Sequence, residues 1–161
     1  MEKPEIVPDP IPVGKIPSGI FIVTVADGDQ REGFLASWIQ QVSFEPLMVS
    51  LSLNPARVAV DLLRRTHRFC INIIGQENNG VLKPFWGGLK PGVNPLDLVP
   101  HFISGRGNVI LTDALAVLEC QPKDFIQPGD HLVVFGLVLE TKMLKTEDKP
   151  MTHIRKTGSS Y

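Results

Sequence analysis

Apolar and polar positions fall into short blocks along this chain, and few of the blocks repeat at helical spacing. Residues 19–26 (Gly-Ile-Phe-Ile-Val-Thr-Val-Ala) are almost continuously apolar or β-branched, and Asp27-Gly28-Asp29 after them predicts a hairpin turn. Further strands are predicted over 33–42 and 47–53, separated by Ser43-Phe44-Glu45-Pro46. The pattern continues with strands over 68–74, 109–120 with a break near Asp113, 132–144, and a short 151–155. One helix is well marked, with Asn54 as N-cap, Pro55 in the first turn, and a stripe of Val58, Leu62 and Leu63 running to Thr66. A weaker helical segment spans 77–85. Six or seven strands with one or two short helices predict a mainly β domain, a barrel rather than an α/β fold. Segments 20–25 and 132–139 are apolar on both alternating faces. A small barrel buries only its inward face, so the outward face calls for a helix or a second subunit, and a homodimer is expected.

Composition narrows this picture. The 161 residues fit one domain, 1–161, large enough to bury roughly 70% of the surface the unfolded chain exposes. Sixteen basic against seventeen acidic residues give a net charge of -1, which removes the bulk electrostatic case for nucleic-acid or anionic-membrane binding. Nine of the fourteen prolines fall in two stretches. Residues 1–17 carry Pro4, Pro8, Pro10, Pro12 and Pro17, which predicts an extended N-terminal arm, 1–15, without regular structure. Pro84, Pro91, Pro95 and Pro100, with Gly87, Gly88 and Gly92 between them, predict a long irregular loop over 84–100. Cys70 and Cys120 sit fifty residues apart in apolar runs and read as two buried thiols rather than a disulfide. No basic-then-apolar leader and no run of about 18 apolar residues is present, so the expected compartment is the cytoplasm.

The usual nucleophile, zincin and phosphate-loop patterns are absent. His67, His101, His131 and His153 lack ligand spacing on a common element, and no metal site is expected. Three polar clusters beside apolar strands remain. In Leu35 to Phe44, strand alternation would put Ser37, Gln41 and Ser43 on one face, which is either a site or a solvated strand surface. Ser50, Ser52 and Asn54 lead into Arg57 at a predicted helix start, where free N–H groups, helix dipole and guanidinium would favour an anion; an ordinary capped helix reads equally well. Gly129-Asp130-His131 opens the 132–144 strand, and His153, Arg155 and Lys156 lie further on.

In order and spacing these clusters resemble the flavin reductase-like family, the FMN-binding split β-barrel with Greek-key-like strand order. The resemblance is carried by Gly33-Phe34-Leu35-Ala36-Ser37-Trp38 followed by Ser43-Phe44-Glu45-Pro46, and by Arg68-Phe69-Cys70-Ile71-Asn72-Ile73-Ile74. It continues through Asp113 to Cys120, Gly129-Asp130-His131, Phe135-Gly136-Leu137-Val138 and Met151 to Tyr161. The ending is similar to that of stand-alone members and of the C-terminal domain of cyanobacterial diflavin flavoproteins. The chain departs from the family's pattern at Pro46-Leu47, where a double proline is common, and at Leu137, where an acidic residue is often found.

The resemblance implies FMN at or near a dimer interface. Under it, Leu35, Ala36, Ser37 and Trp38 line the flavin, and Gln41, Val42 and Ser43 run along its ring. Ser52, Asn54 and Arg57 hold the phosphate, His131 stands by the ring or an incoming nicotinamide, and His153, Arg155 and Lys156 add positive charge. Trp86 either covers the flavin or packs its own loop. The flavin carries the two-electron chemistry. A chain of this length leaves no room for a nicotinamide domain, so NAD(P)H is expected to stack transiently on an exposed flavin face. The implied activity is NAD(P)H-dependent flavin reduction, passing electrons to free flavin, a redox protein partner or another acceptor. A flavoredoxin-like FMN electron carrier is the alternative, and a flavin-free split-barrel binding module the third.

Overall fold

The structure, a computed structural model, describes residues 6–161. The start of the predicted arm, residues 1–5 with Pro4, lies outside the described residues. The remainder of the arm is not wholly irregular, because Ile11–Gly14 forms a single helical turn, α1, with Pro12 in its first turn. Proline is tolerated there since its missing N–H has no helical partner to lose.

After α1 come β1 (Ser18–Gly19), β2 (Phe21–Asp27), β3 (Gln30–Ala36), β4 (Ile39–Ser43) and β5 (Met48–Leu53). The helix α2 (Val58–Thr66) precedes β6 (Phe69–Ile73), and two 3-10 segments, Asn79–Phe85 and Pro95–Leu98, follow it. The chain ends with β7 (His101–Ile103), β8 (Val109–Leu111), β9 (Ala116–Ile126), β10 (Leu132–Met143) and β11 (Thr152–His153). Seven strands form one antiparallel sheet in the order β3-β2-β6-β9-β10-β5-β4, while β7–β8 and β1–β11 pair separately. The fold is mainly β, a split barrel: β3 and β4 are consecutive in sequence yet stand at opposite edges of the sheet. The predicted 33–42 strand is therefore two strands, broken at Ser37-Trp38, where the chain crosses the split.

Inward residues of the sheet strands meet in one core, among them Val23, Phe34, Leu51, Phe69, Cys120 and Val134, with the half-buried Ile39 of β4 packed against it. Ala59, Leu62 and Leu63 of α2 complete it. Gly136 belongs to this packing, since a Cβ there would stand 2.6 Å from the Phe69 ring. A second core lies on the outer face of β2, β6 and β9, where Ile22, Cys70 and Val117 pack under Leu82, Leu96 and Leu111. Asn72 ties the layers together: its Nδ2 donates to Ile22 O at 3.1 Å and its Oδ1 accepts from Leu111 N at 2.8 Å.

The second core corrects two expectations. The outer face of β2 is covered by this chain itself, so its double apolar pattern does not require a partner subunit. The 84–100 stretch is irregular over 86–94, as expected, but it is bounded by 3-10 turns, one ending at Phe85 and one over Pro95–Leu98, that pack on the sheet. Gly33 admits it, because a Cβ there would lie 2.7 Å from Leu96 Cδ2. The α2 boundary also moves. Its N-cap is Arg57, in extended conformation, and Asn54 instead closes a turn by accepting the Ala56 N–H at 2.9 Å. Pro55 and Ala56 are spent in that turn, which delays the helix to Val58. Among the described residues no helix is long and apolar enough to cross a membrane.

Candidate functional site

A groove of about 600 Å³ lies between the β4–β5 ribbon and the seam where the N- and C-terminal segments meet. The break at the split supplies Ser37 and Trp38, β5 supplies Ser50 and Ser52, and the segment after β11 supplies Arg155. Strand alternation explains the serines, since Val49, Leu51 and Leu53 are buried inward and Ser50 and Ser52 take the opposite face. Ser52 N also donates to Trp38 O at 3.0 Å, which fixes the break against β5.

The seam is built from backbone. Arg155 N donates to Gly14 O at 3.0 Å and Gly158 N to Pro10 O at 2.6 Å. Gly14 is obligatory here: a Cβ on it would stand 2.7 Å from the backbone of Thr157. The guanidinium of Arg155 lies 5.0 Å from the centre of the Trp38 ring, a cation–π contact.

His131 packs on the same indole, its ring centre 4.8 Å from that of Trp38, and Tyr161 lies at 5.3 Å. Asp130 Oδ1 is 2.8 Å from His131 Nδ1, and His131 Nε2 is 2.5 Å from the Tyr161 hydroxyl. In the neutral imidazole the carboxylate beside Nδ1 places the ring proton there and the tyrosine hydroxyl donates to Nε2; once protonated, the ring donates from both nitrogens. The hydrogen bond from His131, and then its charge, hold the Asp130 carboxyl below its usual value. Burial pushes the Tyr161 hydroxyl up, against the opposing charges of Arg155 and Arg57. Asp130, His131 and Tyr161 thus form one hydrogen-bonded chain over Trp38.

The structure brings together only part of the predicted set. Ser37, Trp38, Ser52 and Arg155 meet in the groove, with His131 packed at a tilt against Trp38. The side chain of Leu35 packs against the second core and that of Ala36 is buried in the barrel, so neither lines the groove. Gln41, Val42 and Ser43 lie further along β4, outside it, and the chain break removes the common face that alternation would have given Gln41 and Ser43 with Ser37. Asn54 is occupied by its turn. Arg57 donates to Glu32 Oε1 at 3.0 Å and covers the Phe34 ring at 4.6 Å, so its guanidinium is already engaged. His153 pairs in register with Ser18, and Lys156 is exposed and outside the groove. Trp86 is two-thirds exposed and, like the rest of 84–100, contributes nothing to the groove lining.

Ser50, named in the second polar cluster but given no flavin role, shares the face of Ser52 and lines the groove. Tyr161 was missed, since it has no local signal and is brought to His131 across thirty residues. Cys70 and Cys120 are free and buried, as expected.

Comparisons with known proteins bear on this architecture. The chain is 33% identical over 150 residues to diflavin flavoprotein A 1 of Synechocystis sp., which covers 92% of this chain and 26% of that protein. Putative diflavin flavoprotein A 3 of Nostoc sp. is 31% identical over the same shares. The chain thus spans about a quarter of the length of these curated relatives. Among solved structures, the flavin reductase PheA2 superposes with a TM-score of 0.76 at 25% identity, covering 91% of each chain. The Streptomyces globisporus C-1027 NADH:FAD oxidoreductase SgcE6 gives 0.81 at 23% identity, over 97% of this chain and 96% of that one, a likeness of fold. The flavin reductase like domain profile matches residues 13–159, from the groove's arm to its C-terminal seam, and the chain belongs to that family.

Proposed function

We propose that the groove binds FMN and that the protein is an NAD(P)H-dependent flavin oxidoreductase. The observation that carries this reading is the convergence, in a member of this family, of the Ser37, Ser50 and Ser52 hydroxyls, the Arg155 cation and the Trp38 indole on one groove. The donor set fits the group. FMN needs positive charge and hydroxyl donors for its phosphate and ribityl chain and a flat apolar surface for its ring, and a groove of about 600 Å³ is of the size such ligands occupy.

When bound, FMN supplies the two-electron chemistry. The protein's part is to bind and orient. Ser37 and Ser52 donate hydroxyl hydrogen bonds, and Arg155 offsets phosphate charge. Trp38 offers an aromatic face, and its contacts with Arg155 and His131 keep that face in one orientation. Asp130 holds the His131 proton on Nδ1, so that Nε2 faces the Tyr161 hydroxyl as an acceptor. A homodimer is part of the proposal: Phe44 is 89% exposed at the β4–β5 turn beside the half-exposed Val42 and Leu47, an apolar edge that a second copy would cover. Sedimentation equilibrium should then return twice 17.7 kDa, and a monomer mass at micromolar concentration rejects the dimer.

The relatives' greater length favours a second reading, in which the domain works as an electron carrier beside another redox module. Reconstitution and anaerobic reduction separate the readings. Protein mixed with FMN and desalted should retain visible flavin absorbance, and NADH or NADPH should bleach it. A protein that never takes up FMN refutes both flavin readings. One that holds FMN but is bleached only by a reduced protein partner is a carrier.

A further inference from the structure

We propose that a cleft between the β7–β8 loop and the distal half of the β9–β10 ribbon is a second binding site, one for a small primary ammonium compound with an apolar body. The cleft holds about 370 Å³ and shares no lining residue with the groove. Its polar centre is Glu119, which is only 5% exposed. Both hydrogen bonds to this carboxylate fall on one oxygen: Ser104 Oγ donates to Oε2 at 2.6 Å and Asn108 Nδ2 donates to Oε2 at 2.7 Å. Among the described residues Oε1 has no hydrogen-bond donor and no cationic side chain lies within 4.0 Å of Glu119.

Glu140 adds a second carboxylate, because it stands directly across from Glu119 in the β9–β10 register and also lines the cleft. Like charges opposed across two strands repel, and a cation between them relieves the repulsion. The protein supplies that cation to one partner only. Arg106 Nε donates to Glu140 Oε2 at 3.0 Å, while Lys142, another lining residue, makes no ion pair with either glutamate. The buried Oδ1 of Asn108 also has no donor. At Glu119 itself, Oε1 and the neighbouring Asn108 Oδ1 are thus left as acceptors without donors, and a buried carboxylate held only by neutral donors is costly to desolvate.

An ammonium group has the complementary inventory, three donors and no acceptor. Beside the carboxylates the wall is apolar. Ile110 and Val117 are 4% and 3% exposed, and Leu144 and Phe102 complete it. A ligand with its ammonium on Glu119 Oε1 and its body against Ile110 and Val117 satisfies both halves. A carboxylate or phosphate placed at Oε1 would meet the Glu119 charge and is disfavoured there.

Phenethylamine, 2-phenylethanol and phenylacetate share one shape and differ in the terminal group, and each is titrated into the full chain near neutral pH while methyl resonances are followed. The amine should move Ile110, Val117 and Leu144 saturably and bind about tenfold tighter than the alcohol or the acid, the effect of roughly one buried charge-assisted contact. Glu119→Gln should remove that preference with the fold retained. If that variant does not fold, Glu140→Gln on an exposed side chain should still weaken the amine and leave the alcohol unchanged. The proposal is overturned if the amine binds no tighter than phenylacetate, if Ile16 and Ile39 of the groove move instead, or if Glu140→Gln affects all three probes alike.

Discussion

Arg155 and Arg57 are both close enough to act on Tyr161, but they are differently committed. Arg155 lines the groove, and among the described residues its one side-chain hydrogen bond is a long one of 3.4 Å to Ser160 O. Arg57 is bound to Glu32 and stacked on Phe34. Arg155→Ala should therefore raise the FMN dissociation constant by about tenfold, the loss of one charge-assisted hydrogen bond of about 1.5 kcal/mol. Lys156→Ala, on an exposed neighbour outside the groove, should change it less than twofold, and fluorescence titration compares the two. Arg57→Ala should act on stability instead, costing about 1 kcal/mol through the half-exposed ion pair and the cation–π contact. Equal FMN losses in Arg57→Ala and Arg155→Ala would place the phosphate nearer α2 than the groove geometry indicates.

At the scale of elements, the groove depends on a seam of segments with little regular structure of their own. β1 and β11 are two residues each, and α1 is one turn. They are held by pairing with each other and by the close approach of Gly14 to Thr157. Gly14→Ala must move backbone, not a side chain end, so the C-terminal segment should shift and carry Arg155 with it. The expected outcome is weaker FMN binding with the sheet intact, read as a higher dissociation constant alongside an unchanged far-ultraviolet spectrum. Unaltered affinity would detach the seam from the site. The 84–100 stretch has a different task, since its 3-10 turns roof the second core.

For the whole molecule, the two cores share the β6–β9 pair, and each holds one thiol. Burial, with the Glu119 charge behind it, pushes Cys120 up to about 12, and burial raises Cys70 as well. The folded chain keeps these protons where the unfolded chain begins to release them, near 9. Between about 9 and about 12 the native state binds more protons, so stability must fall as pH rises through that window. Below it the contribution is fully present. Urea midpoints should decline from pH 8 to pH 10.5, and Cys120→Ala should make that decline shallower. A variant with the same pH slope as the parent would show that other groups govern alkaline unfolding.

The sequence by itself determined the class of fold, most strand positions and the buried state of both cysteines. Each of those follows from local alternation, turn residues and apolar runs, which act over a few positions. It also marked Ser37, Trp38, Ser52, Arg155 and His131. It could not determine which of the marked residues meet. The split at Ser37-Trp38 is a rupture between two strands that read as one, because apolar residues continue through it. Arg57 was legible as a cation near a helix start, but its capture by Glu32 depends on β3 lying beside that start. Tyr161 reaches His131, and Glu140 comes to stand opposite Glu119, only through the closing of the chain and the register of a bulged ribbon. Long-range pairing decided these juxtapositions, and periodicity along one strand carries no information about its partner.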